Sequence, residues 1–578
     1  MNPQSNITFV TSFIDIYGET TFEDKTIEWR FQKFRDIAST GIQICIYACG
    51  DCEEYLQKYA NEFPNIKIMK PVCIQETHAY KTCQLVEYSL PDYRNQPKDI
   101  PEYMMLINSK CEFMKDAIEQ NPWNSSHFAW IDFSISYVFH DKIKTLEYLR
   151  VLSTRHLEPE FLVIPGCWDK IAENDVSQLV YSVYWRYCGG FLLGDSNSVL
   201  ILCNLYEAHF EEFLKITQKL VWEVNFWAWL EANKGWEPRW YKADHNDCII
   251  HIPADVCAVR LDSHLQKTVY PYPRIETYEA DSASYVFYKG KHVLNTRYVN
   301  YWYLESGHCS IKHPEDFIIS KNLVSILDDN LEPTSFIEMR EETVGLPSKR
   351  CYFYGLEDIR LYTTQEDKLK FIATNIDYSP TGSNRMIVGE YDPFTQSYSN
   401  CATIEPPYES WCEKNWIPLV KHQDQETTQD QDKQDQDKQD QEQQEYFIYK
   451  WNPMEIGKIN SQNRLEIVKT FPILSPWFQR VRGSTVFQDR GDYLVGIVHF
   501  SEDTLPRRYY HVLVALDRHT FQPVKYSNIF VFQHIGIEFC IGILIKEDKY
   551  VFWISKKDRD PVMVSIPVDK VPLIFDFI

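Results

Sequence analysis

Residues 7–16, ITFVTSFIDI, followed by KTIEWRFQKFRDIA at 25–38 and GIQICIY at 41–47, decide the fold of the first half. The outer two runs are short, apolar and rich in β-branched residues, the pattern of buried strands. The middle run spaces its apolar side chains at three and four, as an amphipathic helix does. Strand, helix and strand within 50 residues form a βαβ unit, and its repetition gives a mostly parallel sheet. IKIM (66–69) and FAWIDF (128–133) continue the strands, and YMMLINSKCEFMKDAIE (103–119) reads as a helix between them. The same mixed texture runs to about residue 255.

Beyond about residue 262 helical periodicity nearly vanishes. Short aromatic or β-branched runs recur between turn residues: SYVFYKGKHVLNTRYV (284–299), LKFIATNI (369–376), YFIYKW (446–451), YLVGIVHF (493–500), YYHVLVALD (509–517) and YVFWIS (550–555). Such a series predicts an all-β propeller or sandwich. Strand pairs every 60 residues or so favour five blades. A chain of 578 residues exceeds one hydrophobic core, so the expected division is an α/β domain at 1–260 and a β-propeller at 261–578. The Gln/Asp-rich repeat at 423–445 cannot bury a core and predicts a disordered insertion in the second domain.

The net charge is −23, of which residues 423–445 carry −7 and the rest −16, which argues against a binder of nucleic-acid phosphates. No run of about 18 apolar residues predicts a membrane span. The start of the chain lacks signal-peptide character. With 16 scattered cysteines this points to a reduced, cytoplasmic compartment. Cys49-Gly-Asp-Cys52 lacks two further zinc ligands at comparable spacing and reads as structural. The 16 Trp, 37 Tyr and 33 Phe suit sugar stacking, but core packing of β-rich domains explains them first.

Several polar groups in the first half fit a site for a nucleotide diphosphate, whose growing charge needs a metal or cations. Asp132 ends the strand FAWIDF, where open α/β sheets present their ligands. His245 and Asp247, in Asp244-His245-Asn246-Asp247, could complete a metal site with it, although an ordinary polar turn explains them equally. Gly189-Gly190 permits close backbone approach to a ligand or a bend. Trp222-Glu223-Val224-Asn225 opens a Trp-rich segment that suits an acceptor sugar or a core.

Taken in order, ITFVTSFIDI, NSKCEFMKDAI, FAWIDFSI, CGGFLLG, WEVNFWAWLE and WYKADHND resemble the HtrL-like family over residues 7–252. The resemblance implies a GT-A-like, Rossmann-type glycosyltransferase. It implies donor binding by Thr11, Ser12 and Phe13, phosphate or substrate contact by Lys110, and a divalent metal (manganese or magnesium) on Asp132 and His245. Ser134 stands where the usual Asp-x-Asp would place its second acid, which thins the metal shell. Glu223 is the expected acceptor-side base, and Gly189, Gly190, Trp222 and Asn225 are expected to line the substrate.

In the second half, Glu357-Asp358-Ile359-Arg360 follows Gly355-Leu356, and polar residues recur in apolar strands: Asn295, Arg297, Glu413, Lys414, Asn415, Arg482, His499, His511, Glu538 and Asp558. Buried charges are costly unless paired or used, so they predict a shared polar pocket. This half, about 280–570, resembles the five-bladed propellers of the β-mannoside phosphorylase and family 43 glycosidase type. Their Glu-Asp-Pro-Arg motif appears here with Ile359 for Pro. The resemblance implies acid–base carboxylates, for which Asp358 and Glu413 are the candidates. Asn295, Arg297, Arg360, Lys414, Asn415, Arg482 and His499 would bind sugar or phosphate. The two-part arrangement resembles proteins encoded by giant amoeba viruses.

The leading expectation is a hexosyltransferase moving sugar from a nucleotide-sugar donor to a glycan or glycoprotein, with a propeller that binds or processes the glycan. One alternative puts the chemistry in the propeller, as glycosidase or phosphorylase. The other is a glycan-binding virion protein without activity.

Overall fold

The computed structural model describes residues 6–17, 25–49, 52–153, 157, 160–173, 175–304, 306–342, 352–379, 381–420, 445–473, 476–502 and 504–577. Two compact units result, Met1–Cys257 and Ala258–Ile578. The boundary precedes residue 260 because the strand Val259–Arg260 pairs with Phe530–Val531 inside the second unit.

In the first unit seven strands, β1 (Ile7–Phe13), β2 (Gln43–Ala48), β3 (Ile66–Ile68), β4 (His127–Ile131), β5 (Leu162–Gly166), β6 (Phe191–Asp195) and β7 (Arg239–Lys242), form one sheet. Their order is β3-β2-β1-β4-β6-β5-β7. β1 runs parallel to β2 and β4, and β6 runs antiparallel to both β4 and β5. Alternate residues of β1 enter different cores: Ile7 and Phe9 one, Val10 the other. This period of two is what a sheet covered on both faces requires. Helix Ile27–Ala38 starts at Thr26, whose hydroxyl accepts from Trp29 N at 3.1 Å. The helix expected at 103–119 is instead two, Pro101–Asn108 and Lys110–Gln120. At the junction Ser109 Oγ donates to Met105 O, and Asn108 Nδ2 donates to Met104 O and Val221 O. Such side-chain bonds compete with the helical ladder, and here the break puts Lys110 at a helix start.

The second unit is all-β and propeller-like. Four mainly antiparallel sheets draw largely on strands that follow one another in the chain, including Glu279–Tyr288, Glu357–Thr363, Ile417–Val420 and Arg482–Gly483. A further sheet of Glu538–Ile545, Lys549–Lys556 and Arg559–Pro567 is completed by Gln266–Thr268 from the start of the unit. Among the described residues four sheets are thus built mainly from successive strands, whereas the sequence spacing favours about five blades. Residues 423–444 of the expected insertion lie outside the described residues. Glu445 belongs to a strand, Glu445–Trp451, and accepts from Tyr362 and Lys370 at 2.9 and 2.6 Å.

One buried group of this unit is a stability liability. His511 is fully buried, with neither ring nitrogen bonded. Its ring packs against Phe530 and Phe532 at 5.9 and 4.9 Å, and burial holds its pKa down to about 3. An unfolded histidine protonates near 6.5. Stability is therefore full above about pH 6.5 and declines as pH falls toward 3. His511→Phe is expected to flatten that decline and to raise stability at pH 7, since unbonded buried groups cost about 1–3 kcal/mol each. Urea unfolding between pH 7 and pH 4 checks this, and an unchanged acid slope would refute it.

Candidate functional sites

In the first unit the strand ends converge on a buried ion cluster. Lys110 Nζ donates to Gly189 O and Glu223 Oε1, each at 2.7 Å, and lies 3.1 Å from Asp132 Oδ1. Burial pulls the Lys110 pKa down, but Asp132 and Glu223 more than offset this and leave it raised. Burial raises the Glu223 pKa against the opposing pull of Lys110. Asp132 Oδ1 also accepts the Trp130 indole N–H at 2.7 Å, and its side chain is 47% exposed, the only member of the three that meets solvent. A Cβ on Gly189 would stand 2.1 Å from Glu223 Oε1, so glycine is required there for Lys110 and Glu223 to meet. Gly190 is less constrained, with Ile135 Cδ1 at 3.2 Å from such a Cβ.

This geometry changes several expected roles. The three ammonium protons of Lys110 are matched by three protein acceptors, so it orders the cluster instead of contacting a phosphate. Glu223 is 5% exposed and tied to Lys110, which makes it a poor acceptor-side base. Trp222 is buried, and helix Glu223–Asn233 is buried over nine successive residues, so the Trp-rich segment is core. Asn225 is fully buried and spent on Leu179 O, Ser182 O and Tyr184 N. Phe13 stacks on Phe133 at 4.8 Å inside the core. Thr11 is buried with its hydroxyl unbonded, and Ser12 beside it is half-buried.

The metal expectation is not met by this donor set. Asp247 accepts from His140 N, Asp141 N and Thr145 Oγ1, and these bonds outweigh burial to hold its pKa low. His245 lies 3.3 Å from the Tyr137 hydroxyl, and partial desolvation, then nearby Lys98, lowers its pKa. Among the described residues no three His, Cys, Asp or Glu side chains are placed to hold a metal ion.

The second unit gathers charge around Arg297. Its Nη1 lies 3.0 Å from Asp358 Oδ1 and 3.7 Å from Asp281 Oδ2, and Nη2 lies 3.8 Å from Glu357 Oε2. Its Nε donates to Ser320 Oγ at 3.0 Å. Lys414 Nζ sits 3.3 Å from Glu357, and the Tyr301 hydroxyl donates to Asp558 Oδ2 at 2.7 Å. Burial, then the neighbouring Asp558, pushes Asp281 up to about 8, and burial also raises Asp558. Asp281 thus favours its neutral form, and Asp558 shifts in the same direction, beside carboxylates paired to a guanidinium, the separation of roles that acid–base chemistry uses. The backbone aims them: Asp358 sits at φ 53° in a bulge, and Asp558 at φ 54° in the two-residue turn Lys557-Asp558.

Sequence reading missed Asp281 and Tyr301. The signal available was an acid within the otherwise buried run ADSASYV of strand Glu279–Tyr288. Other expected ligands prove structural. Arg360 is fully buried and donates to Ser484 O, Asp358 O and Asn415 Oδ1, bolting its own strand to the segments beside strands Arg482–Gly483 and Ile417–Val420. Without a carboxylate partner, its pKa is pulled by burial to about 10. Asn295 is bonded to Asn322 and Tyr391. Glu413 accepts from the Trp416 indole at 2.9 Å and Tyr449 at 3.4 Å, so the partners of Asp358 in the cluster are Asp281 and Asp558. His499 is buried with its pKa held down by burial, and the exposed Arg482 pairs with it across the strands.

Residues 5–221 match a family described as bacterial proteins of unknown function, HtrL/YibB. No curated protein matches the chain. Among solved structures it is similar to a β-1,2-mannobiose phosphorylase from Listeria innocua, with 11% identity and TM-score 0.35, covering 53% of this chain and 97% of that one. It is similar to MPT-4, a mannose phosphorylase from Leishmania mexicana, with 12% identity and TM-score 0.34, covering 55% and 93%. A structure from the GH130 mannoside phosphorylase family, described as containing glycoside hydrolases that target β-1,2 mannosidic linkages in Candida mannan, aligns with 10% identity and TM-score 0.33, covering 52% and 87%. No helix among the described residues is long and apolar enough to cross a membrane.

Proposed function

We propose that the chain is a carbohydrate-active enzyme that cleaves a glycosidic bond at the Arg297 cluster of its propeller-like second unit. The supporting observation is the pair Asp281 and Asp558, raised in pKa beside the Arg297-held Asp358. Asp558 is the more exposed of the two and donates its proton to the leaving glycosidic oxygen. Burial, with the charges of Asp358 and Glu357, keeps that proton available. Asp358 takes a proton from the attacking water as the water oxygen bonds to the anomeric carbon, and the C–O bond to the leaving sugar breaks. If the nucleophile is phosphate instead, Lys414 and Arg482 supply exposed cations for it. The test is release of reducing sugar or sugar phosphate from oligosaccharides and aryl glycosides, with and without phosphate. No turnover of any glycoside would sink this reading.

A second reading, transfer from a nucleotide sugar by a GT-A-type first unit, draws on the half-exposed Asp132 at the carboxyl end of β4, held by Trp130 and Lys110. Donor hydrolysis and thermal shift with UDP-, GDP- and dTDP-sugars, with and without manganese, test it. A response that survives Asp132→Ala, or none in wild type, would reject it.

A further inference from the structure

We infer that a basic cavity at the tip of the hairpin formed by strands Lys549–Lys556 and Arg559–Pro567 binds a small oxyanion, a phosphate or a carboxylate. The cavity measures about 200 Å³ and is lined by His534, Lys556, Lys557, Arg559 and Asp560. Three cationic side chains against one carboxylate leave it a charge of +2 before His534 is counted, in a chain whose net charge is −23. A water claims about 30 Å³ of the liquid, so the space has room for an ion of several atoms.

The hairpin holds these side chains against its own turn preference. Lys556 and Arg559 pair across the strands, so their side chains leave the sheet on one side. Lys557 takes φ 54° and Asp560 φ 52°. Glycine and asparagine favour that left-handed region, and a lysine there is uncommon. A charge is thus kept where the turn alone would select another residue. The turn is tied down by Lys557 N, which donates to Ile537 O at 2.9 Å. The segment that carries His534 is fixed by the fully buried Glu538, which accepts from Phe532 N at 2.7 Å and Gln533 N at 2.9 Å.

The donors are also unspent. Arg559 Nε is buried and bonds no acceptor, and Asp560 Oδ2 lies 3.6 Å from it, beyond hydrogen-bond reach. Lys556 forms no ion pair with any described residue, although its charge opposes the rise that burial gives the Glu538 pKa. Asp558, between two of the lining residues, accepts from Tyr301 and is not part of the cavity wall. A buried N–H without an acceptor is costly, and an oxyanion supplies one through the strong, charge-assisted class of hydrogen bond. The inference stands on this cavity and does not rest on cleavage at Arg297.

Calorimetry of the full chain with inorganic phosphate, glucose 6-phosphate, glucuronic acid and neutral glucose tests it, at constant ionic strength so that screening is equal throughout. At least one of the anions is expected to bind, and glucose is not. Arg559→Gln and Lys556→Gln, both at partly exposed positions, are each expected to weaken binding at least about tenfold, the scale of one charge-assisted hydrogen bond. The wild-type chain gives an independent reading, because the bound anion is expected to slow acylation of Lys556, followed by peptide mass spectrometry. Inorganic phosphate binding as tightly as the sugar anions would make the free ion the ligand, and binding of sugar anions alone would make it a charged glycan; either upholds the site. Binding by no anion, equal binding of glucose, affinity that both variants retain, or Lys556 acylation unchanged by the anion overturns it.

Discussion

Asp558→Asn is expected to lower glycoside cleavage by about 10²–10⁴-fold, the usual contribution of a positioned general acid. The amide keeps the size and can still accept from Tyr301, but it carries no proton to give. The loss is therefore expected in kcat, with KM nearly unchanged. Asp281→Asn acts differently, because Asp281 is buried beside Arg297 and, holding its own proton, places no charge on Asp558. It is expected to leave the pH–rate profile in place below about pH 8, with a smaller loss at the optimum. It is also expected to stabilise the fold above pH 4. The wild-type carboxyl holds its proton to about pH 8 when folded, while an unfolded aspartate ionises near 3.9. Stability therefore falls as pH rises through that window, by up to about 1.4 kcal/mol per pH unit, and the amide removes the slope. Equal losses of rate in both variants at every pH would reduce the cluster to a structural ion network.

How far the sequence could carry this argument differs between the units. Alternating strands and a spaced helix were readable around residues 7–47 because burial on both faces of a sheet leaves a local pattern. Asp132 was legible for the same reason, as a carboxylate at the end of an apolar strand. The Arg297 cluster was half legible. Arg297 and Asp358 stood out as charges in apolar surroundings, but Asp281 meets them only through the pairing of strands Glu279–Tyr288 and Lys291–Val299 and the arrival of the turn Lys557-Asp558. Contacts made between sheets have no spacing in sequence. Arg360 shows the reverse failure. A lone arginine two places after an acid reads as a ligand, but four backbone and amide oxygens consume it. The tryptophans at 222–229 misled similarly, since aromatic residues on a fully buried helix carry the same letters as a sugar platform.

Lys110→Met is expected to destabilise the first unit by about 3–5 kcal/mol, the cost of stranding a buried charge whose partner is gone. Glu223 would then keep its burial without the ammonium that now opposes the rise in its pKa. It would fold as the neutral acid, whereas the unfolded glutamate ionises near 4.3. The destabilisation is thus expected to be modest near pH 4 and to grow toward pH 8. The double variant Lys110→Met/Glu223→Leu removes both charges together, and apolar replacement of a buried pair is often neutral. It should recover most of the loss and all of its pH dependence. Asp132, half-exposed and still bonded to Trp130, needs no lysine to remain solvated. Urea unfolding of the wild type, both single variants and the double variant at pH 5 and pH 8 separates these contributions. A Lys110→Met loss independent of pH would mean that packing around the lysine stem, rather than its charge, holds Gly189 and Glu223 together.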